Sequence, residues 1–168
     1  QHLPKSEVKL SSETIPTNRI IILDGSGSMF SDADSVKRDV IEQTQKMSQN
    51  DTVSIGVFSS KGQFTWVCKG TTPQNVKKLV DSYRFPFNMT CYSDILSDTE
   101  KLIADLSPIS NVFSLMFMTD GYPNQDTEKI IPLCKLLAPK LASVLLIGYG
   151  NYYGKELMAE MAKAIGGS

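Results

Sequence analysis

The chain has 168 residues, of which 41% are hydrophobic, and a formal net charge of −1. This length suits one domain whose core buries roughly 70% of the unfolded surface. The balanced charge, without a basic patch, argues against nucleic-acid binding. No apolar run approaches the ~20 residues that a membrane-spanning helix needs, so we expect no membrane segment in this chain.

The first 18 residues are polar and contain Pro4 and Pro16, and we predict a leader or linker at 1–18 followed by one domain at 19–168. Within the domain, five apolar runs have the length and composition of strands. They lie at 20–23, 53–58, 63–68, 112–118 and 144–147. Near-continuous apolar runs are typical of strands that are covered on both faces.

Apolar residues at helical spacing predict five helices between and after these strands, at 36–47, 76–83, 95–106, 130–138 and 157–165. Alternation of strands and helices predicts an α/β fold with a doubly wound, mainly parallel sheet and helices on both faces. Only residues 59–62 separate the second strand from the third, which is too short for a parallel crossover. We therefore predict that residues 63–68 form an antiparallel edge strand.

The segment Asp24-Gly25-Ser26-Gly27-Ser28 directly follows the first strand. Its glycines let the backbone turn sharply and let a ligand approach. Its carboxylate and two hydroxyls offer only oxygen, which suits hard cations such as Mg²⁺. Taken alone, the segment also fits a tight turn that caps the first helix.

Two further polar positions are predicted to share this site. Asp120 follows the fourth apolar run, and the carboxyl ends of central parallel strands meet at the ligand crevice of doubly wound sheets. Thr90 lies just before the most regular helical pattern, at 95–106, where its hydroxyl can reach the same crevice.

Together these motifs resemble the von Willebrand factor type A (VWA) domain and its metal-ion-dependent adhesion site (MIDAS). The similarity covers 18–168 and comprises D-x-S-x-S after the first strand, a threonine before a mid-chain helix, and T-D-G after a later strand. The matching positions are Asp24, Ser26, Ser28, Thr90 and Asp120. Family domains usually continue with a further strand and helix, so we expect this domain to be truncated at its C-terminal end.

The resemblance implies a non-catalytic protein-interaction module that holds Mg²⁺, with Mn²⁺ as a substitute. A Glu or Asp from a partner protein, or from another domain of the same chain, would complete the metal's ligands. The expected binding face is the crevice rim at 24–31, 86–93 and 120–126, where Phe30, Tyr92 and Tyr122 are candidate apolar contacts. Met89 and Ile95 stand where the family often has Gly and Ala.

Two alternatives remain open. One is a Mg²⁺-dependent phosphoryl hydrolase with Asp24 as nucleophile and Asp120 on the metal, although Ser26 stands where such enzymes usually have a second acid. The other is a structural domain with a degenerate metal site. A zinc site or a histidine-based triad inside the domain lacks an imidazole, because the single histidine is His2.

The three cysteines, Cys68, Cys91 and Cys134, are far apart and odd in number. This pattern is not a disulfide framework and favours a reducing compartment such as the cytoplasm, without fixing the location. We predict that each is a small buried hydrophobic residue.

Overall fold

A computed structural model describes residues 15–150 and 154–166 of the chain. Most of the predicted leader, including His2, therefore lies outside the described residues. The strands are β1 (Asn18–Asp24), β2 (Thr52–Phe58), β3 (Phe64–Thr71), β4 (Phe113–Thr119) and β5 (Ser143–Gly148). The α-helices are α1 (Ala33–Gln45), α2 (Val76–Ser82), α3 (Ser93–Leu106), α4 (Ile130–Leu137) and α5 (Lys155–Gly166). This order confirms the predicted alternation of strands and helices.

The five strands form one sheet in the order β3-β2-β1-β4-β5. β1 pairs in parallel with β2 and β4, and β4 pairs in parallel with β5. β3 is antiparallel to β2 at the edge, which confirms the predicted hairpin. From β1 the chain adds β2 and β3 on one side of the sheet, and it then returns to add β4 and β5 on the other side. The switch point of the sheet, where ligands bind in doubly wound folds, therefore lies between β1 and β4.

The central strand β1 is covered on both faces, as its run of β-branched residues predicts. Ile20 and Ile22 point into one core, which they share with α3, α4 and α5. Ile21 and Leu23 point into the opposite core, which they share with α1 and α2. All four side chains are at most 1% exposed. Burial on both faces fixes the position of β1, and with it the turn that follows Asp24.

The junction of α3 with the sheet explains one of the departures from the family pattern. A Cβ atom on Gly56 of β2 would lie 2.6 Å from Cδ1 of Ile95 and 2.9 Å from the ring of Trp66. The absence of a side chain at Gly56 therefore makes room for isoleucine at position 95, where the family often has alanine.

The cysteines are buried and unpaired, as the sequence predicts. Within the described ranges, none of the helices is long and apolar enough to span a bilayer.

Candidate metal site at the ends of β1 and β4

Asp24 ends β1 and is 0% exposed. Each of its carboxylate oxygens accepts a hydrogen bond from the chain. The backbone N–H of Ser26 donates to Oδ1 at 2.9 Å, and the hydroxyl of Thr119 donates to Oδ2 at 2.6 Å. The carboxylate is thus held between the turn that follows β1 and the last residue of β4.

The surroundings of Asp24 disfavour its negative charge when no cation is bound. Burial raises the pKa of Asp24 to about 6, against the lowering effect of the hydrogen bonds from Ser26 and Thr119. The negative charge of Asp120 raises the pKa of Asp24 further. A positive charge near Asp24 would favour the ionised form of its carboxyl group.

The two serine hydroxyls of the motif lie side by side. Oγ of Ser26 is 3.2 Å from Oγ of Ser28, with Ser26 fully buried and Ser28 at the surface. The pair is positioned by the short 3₁₀ helix Gly27–Asp32, in which Met29 is buried and donates its N–H to the carbonyl of Ser26 at 3.0 Å. The two neighbouring hydroxyls therefore offer neutral oxygen donors, one buried and one at the surface.

Thr90 lies on the loop before α3 and is 4% exposed. Its N–H donates to Oδ1 of Asn124 at 3.1 Å, and its carbonyl accepts the N–H groups of Asn124 at 2.9 Å and Gln125 at 3.2 Å. These bonds join the loop before α3 to the loop after β4.

The same loop is also joined to the turn after β1. The N–H of Phe87 donates to the carbonyl of Gly25 at 2.8 Å, and the N–H of Gly27 donates to the carbonyl of Asn88 at 2.8 Å. Backbone hydrogen bonds therefore connect all three segments that carry the predicted site residues.

Asp120 follows β4 and is 8% exposed. Its Oδ1 accepts the N–H of Tyr122 at 3.3 Å, and its carbonyl accepts the N–H of Gly154 at 2.8 Å. Gly121 has a φ of +81°, in the left-handed region that glycine favours. A Cβ atom on Gly154 would lie 2.1 Å from the carbonyl oxygen of Gly121. The backbone on either side of Asp120 is therefore closely packed against Gly154, where a side chain would not fit.

The expectation that Tyr92 lies on the binding rim was wrong. Its side chain is 0% exposed, and its ring packs edge-on against Phe58 and Phe117, with centroids 5.2 and 5.0 Å away. Its phenol oxygen lies 2.7 Å from Oγ1 of Thr119, and burial raises its pKa well above the ordinary value. The side chain faces inward because its ring packs among other aromatic rings while its phenol has polar partners in Thr119 and the backbone of Gly121.

Sequence reasoning missed the supporting roles of Thr119 and Tyr92. A signal for Thr119 was present, because β1 and β4 are parallel neighbours in which Leu23 pairs with Met118. The next residues along these strands are Asp24 and Thr119, so an aligned pair of strands places them side by side. Nothing in the sequence indicated which way Tyr92 points.

A second group of ligand-type atoms lies nearby and was also missed. The Sγ of Cys91 and carboxylate oxygens of Asp94 and Asp126 lie within 4.8 Å of one another. Asp126 pairs with Lys61 at 3.1 Å and with Lys129 at 3.6 Å, and Lys61 lowers the pKa of its carboxyl group. These ion pairs already supply positive charge, so the cluster is best explained as a connection between the β2–β3 hairpin and the loop after β4.

No family model matches this sequence, and no curated protein matches it either. Solved structures do match. Proximal thread matrix protein 1 (PTMP1) from the mussel byssus, in a structure with a zinc-occupied MIDAS motif, is 14% identical with a TM-score of 0.73, over 91% of this chain and 40% of that chain. Manganese-loaded TRAP protein from Plasmodium vivax is 16% identical with a TM-score of 0.71, over 88% of this chain and 62% of that one.

A third match is the VWA domain of SpRpn10, which is 11% identical with a TM-score of 0.65, over 89% of this chain and 82% of that domain. The similarities show that the chain has the VWA fold, a Rossmann-like α/β architecture. The chain spans about two fifths of the mussel protein's length. Two of these neighbours hold a divalent metal, zinc in PTMP1 and manganese in TRAP.

Proposed function

We propose that this domain is a non-catalytic protein-interaction module that binds the acidic group of a partner through a divalent cation. The cation is Mg²⁺ or Mn²⁺. Its ligands, direct or through water, are Asp24, Ser26, Ser28, Thr90 and Asp120. The single observation that supports this most strongly is the buried Asp24 carboxylate, which accepts the N–H of Ser26 next to the paired hydroxyls of Ser26 and Ser28. The negative charge of Asp120 is close enough to raise the pKa of this carboxylate.

The residues present fit such a cation. Carboxylate and hydroxyl oxygens are the donors that Mg²⁺ and Mn²⁺ prefer, and Mg²⁺ retains water where the protein supplies no ligand. Burial raises the pKa of the Asp24 carboxyl group to about 6, and a cation bound beside it would favour its ionised form. Zinc in the MIDAS motif of PTMP1 and the manganese-loaded structure of TRAP support divalent-metal binding by a domain of this fold.

When bound, the cation supplies a positive charge to which an outside carboxylate can bind. The protein contributes a small number of oxygen ligands and holds them in fixed positions. Ser26, Ser28 and Thr90 are neutral, so direct contact with them leaves the cation's charge uncompensated. Hydrogen bonds from Ser26 N–H and Thr119 orient the Asp24 carboxylate before any partner arrives. A partner's Glu or Asp, from another protein or another domain of the same chain, completes the site.

Phosphoryl hydrolysis is the less favoured function. Asp24, the candidate nucleophile, is 0% exposed, and both of its carboxylate oxygens already accept hydrogen bonds. Such a carboxylate is poorly placed for attack on an incoming phosphoryl group.

Isothermal titration calorimetry with Mg²⁺ and Mn²⁺ tests the proposed metal site. We expect one binding site in the wild-type domain and none in Asp24→Ala or Ser26→Ala/Ser28→Ala. The control variant is Asp105→Ala, which removes an exposed carboxylate of α3 and should bind the cation like the wild type. Equal binding by the wild type and Asp24→Ala would show that the cation binds elsewhere. Turnover of p-nitrophenyl phosphate that needs both Mg²⁺ and Asp24 would favour the hydrolase instead.

A further inference from the structure

We propose that the carboxylate recognised here belongs to a segment with apolar side chains on either side of the acidic residue, rather than to an acidic cluster. This inference rests on the proposed function, because the carboxylate needs the bound cation. The inference specifies which kind of side chain flanks the partner's acidic residue.

Three large apolar side chains are exposed beside the candidate metal site, one on each of its three segments. They are Phe30, Met89 and Tyr122, which are 70%, 55% and 54% exposed. Each lies within two positions of a candidate metal ligand along the chain. We call these three residues the apolar rim.

Single exposed apolar residues are normal on protein surfaces, whereas a group on adjoining segments marks an interaction site. Among the described residues, eight large apolar side chains are exposed by 38% or more, and the three most exposed of them form the apolar rim. Backbone hydrogen bonds join the three segments that carry the rim residues.

The chain holds Phe30 in an exposed position at a conformational cost. Its ring contacts the ring of Phe87 edge-on, with centroids 5.0 Å apart. Phe87 has a φ of +57°, in the left-handed region that a bulky residue rarely adopts. Strained backbone of this kind is concentrated at functional sites. Here it accompanies the edge-on contact between the rings of Phe87 and Phe30.

Met89 adds an adaptable apolar surface beside Thr90. Its N–H donates to Oγ of Ser60 at 3.0 Å, and its Sδ lies 3.4 Å from Nδ2 of Asn124. The backbone is therefore fixed while most of the side chain faces solvent. Flexible thioether side chains of this kind adjust to the shape of an apolar partner.

The charges around the rim favour one carboxylate rather than several. Lys61 and Lys129 lie beside the loop after β4, and both already pair with Asp126. A partner rich in acidic residues would be repelled by the Asp126 carboxylate, and it would find both lysines already occupied in ion pairs. A single Glu or Asp with apolar neighbours matches the cation at the centre and the rim around it.

Selection from a library of short displayed peptides tests the inference. Each peptide has a fixed central Glu and randomised flanking residues, and selection is run with Mg²⁺ and with EDTA. The triple variant Phe30→Ser/Met89→Ser/Tyr122→Ser is compared with Leu79→Ser/Leu136→Ser, which removes exposed apolar residues from α2 and α4. Mg²⁺ binding by each variant is measured separately by calorimetry.

We expect the wild type and the control to enrich apolar flanks only with Mg²⁺. The triple variant should bind Mg²⁺ normally but lose about tenfold in affinity for a selected peptide, as truncation of central interface anchors typically does. Enrichment of acidic flanks, or no Mg²⁺-dependent enrichment while Mg²⁺ binds, would overturn the inference and leave the metal site standing. Unchanged peptide affinity in the triple variant would also overturn it. If the wild type binds no Mg²⁺, the proposed function and this inference both fail.

Discussion

The hydroxyl of Thr119 donates a 2.6 Å hydrogen bond to Oδ2 of Asp24, joining the ends of β4 and β1. A threonine hydroxyl has one proton, so the phenol of Tyr92 is the donor in its 2.7 Å bond to the same Thr119 oxygen. Tyr92 and Thr119 therefore form a chain of two donors that ends at the Asp24 carboxylate. Such a chain strengthens each bond and fixes the orientation of the carboxylate.

Tyr92→Phe should weaken metal binding without changing any proposed ligand. Loss of the phenol removes one donor from Thr119, and supporting hydrogen bonds of this type typically contribute about tenfold or more to metal affinity. The loss of a buried hydrogen bond should also lower the free energy of unfolding by about 1 kcal/mol. Calorimetry with Mg²⁺ and urea unfolding measure the two effects.

Tyr149→Phe is the matched control, since its phenol donates a 2.7 Å hydrogen bond to Asp39 of α1 instead of to the site. We expect it to lose stability but retain Mg²⁺ affinity. Equal Mg²⁺ affinities in Tyr92→Phe and the wild type would mean that Tyr92 serves only packing.

The stability of the metal-free protein should depend on pH through Asp24. Burial raises the pKa of Asp24 from 3.8 to about 6 in the folded protein. The folded state therefore holds a proton that the unfolded state has released, and stability falls as the pH rises through this interval. The free energy of unfolding in EDTA should decrease by about 3 kcal/mol between about pH 4 and pH 7 from this group alone.

Asp24→Asn should remove that part of the pH dependence. Excess Mg²⁺ should also reverse the trend in the wild type, because the cation binds the ionised carboxylate and competes with the proton. If the wild type and Asp24→Asn show parallel stability curves in EDTA, Asp24 does not titrate in this range.

Gly154→Ala should displace Asp120. The new Cβ would lie 2.1 Å from the Gly121 carbonyl oxygen, so the turn that follows Asp120 must move. We expect a loss of about 2 kcal/mol or more in stability, as overpacking typically causes, together with weaker Mg²⁺ binding. Chemical unfolding and calorimetry are the measurements.

Gly62→Ala provides the control for backbone strain. Gly62 also has a positive φ, +76°, but a Cβ there meets nothing within 4 Å. We expect this variant to lose stability through strain alone and to bind Mg²⁺ like the wild type. Full Mg²⁺ affinity in Gly154→Ala would show that the position of Asp120 does not depend on Gly154.

The sequence was enough to predict the sheet because its signals are local. Continuous apolar residues in β1 indicate burial on both faces, and the short link at 59–62 requires an antiparallel hairpin. The proposed ligands are likewise recognisable as polar residues at strand ends. The hydrogen bonds that support Asp24 could not be predicted in this way. The bond from Tyr92 to Thr119 spans 27 positions of the sequence and depends on how α3 packs on the sheet. Side-chain direction in a loop carries no such periodic signal, which is why Tyr92 was expected on the surface.

The apolar rim was likewise predicted only in part from the sequence. The sequence indicated Phe30 and Tyr122 as contacts, and both are exposed. Met89 lay within the predicted rim segment 86–93 but was not singled out as an apolar contact. Its N–H and carbonyl form hydrogen bonds with the hydroxyls of Ser60 and Ser59, which a sequence does not reveal.

The location of a bound cation tests the central claim most directly. Crystals soaked with Mn²⁺ give an anomalous difference map in which the metal appears independently of any assumed ligand. We predict one strong peak about 2.0–2.2 Å from Oγ of Ser26 and Oγ of Ser28, close to Thr90 and the carboxylates of Asp24 and Asp120. A peak instead between Cys91, Asp94 and Asp126, or no peak at the ends of β1 and β4 in Mn²⁺-saturated crystals, would contradict the account.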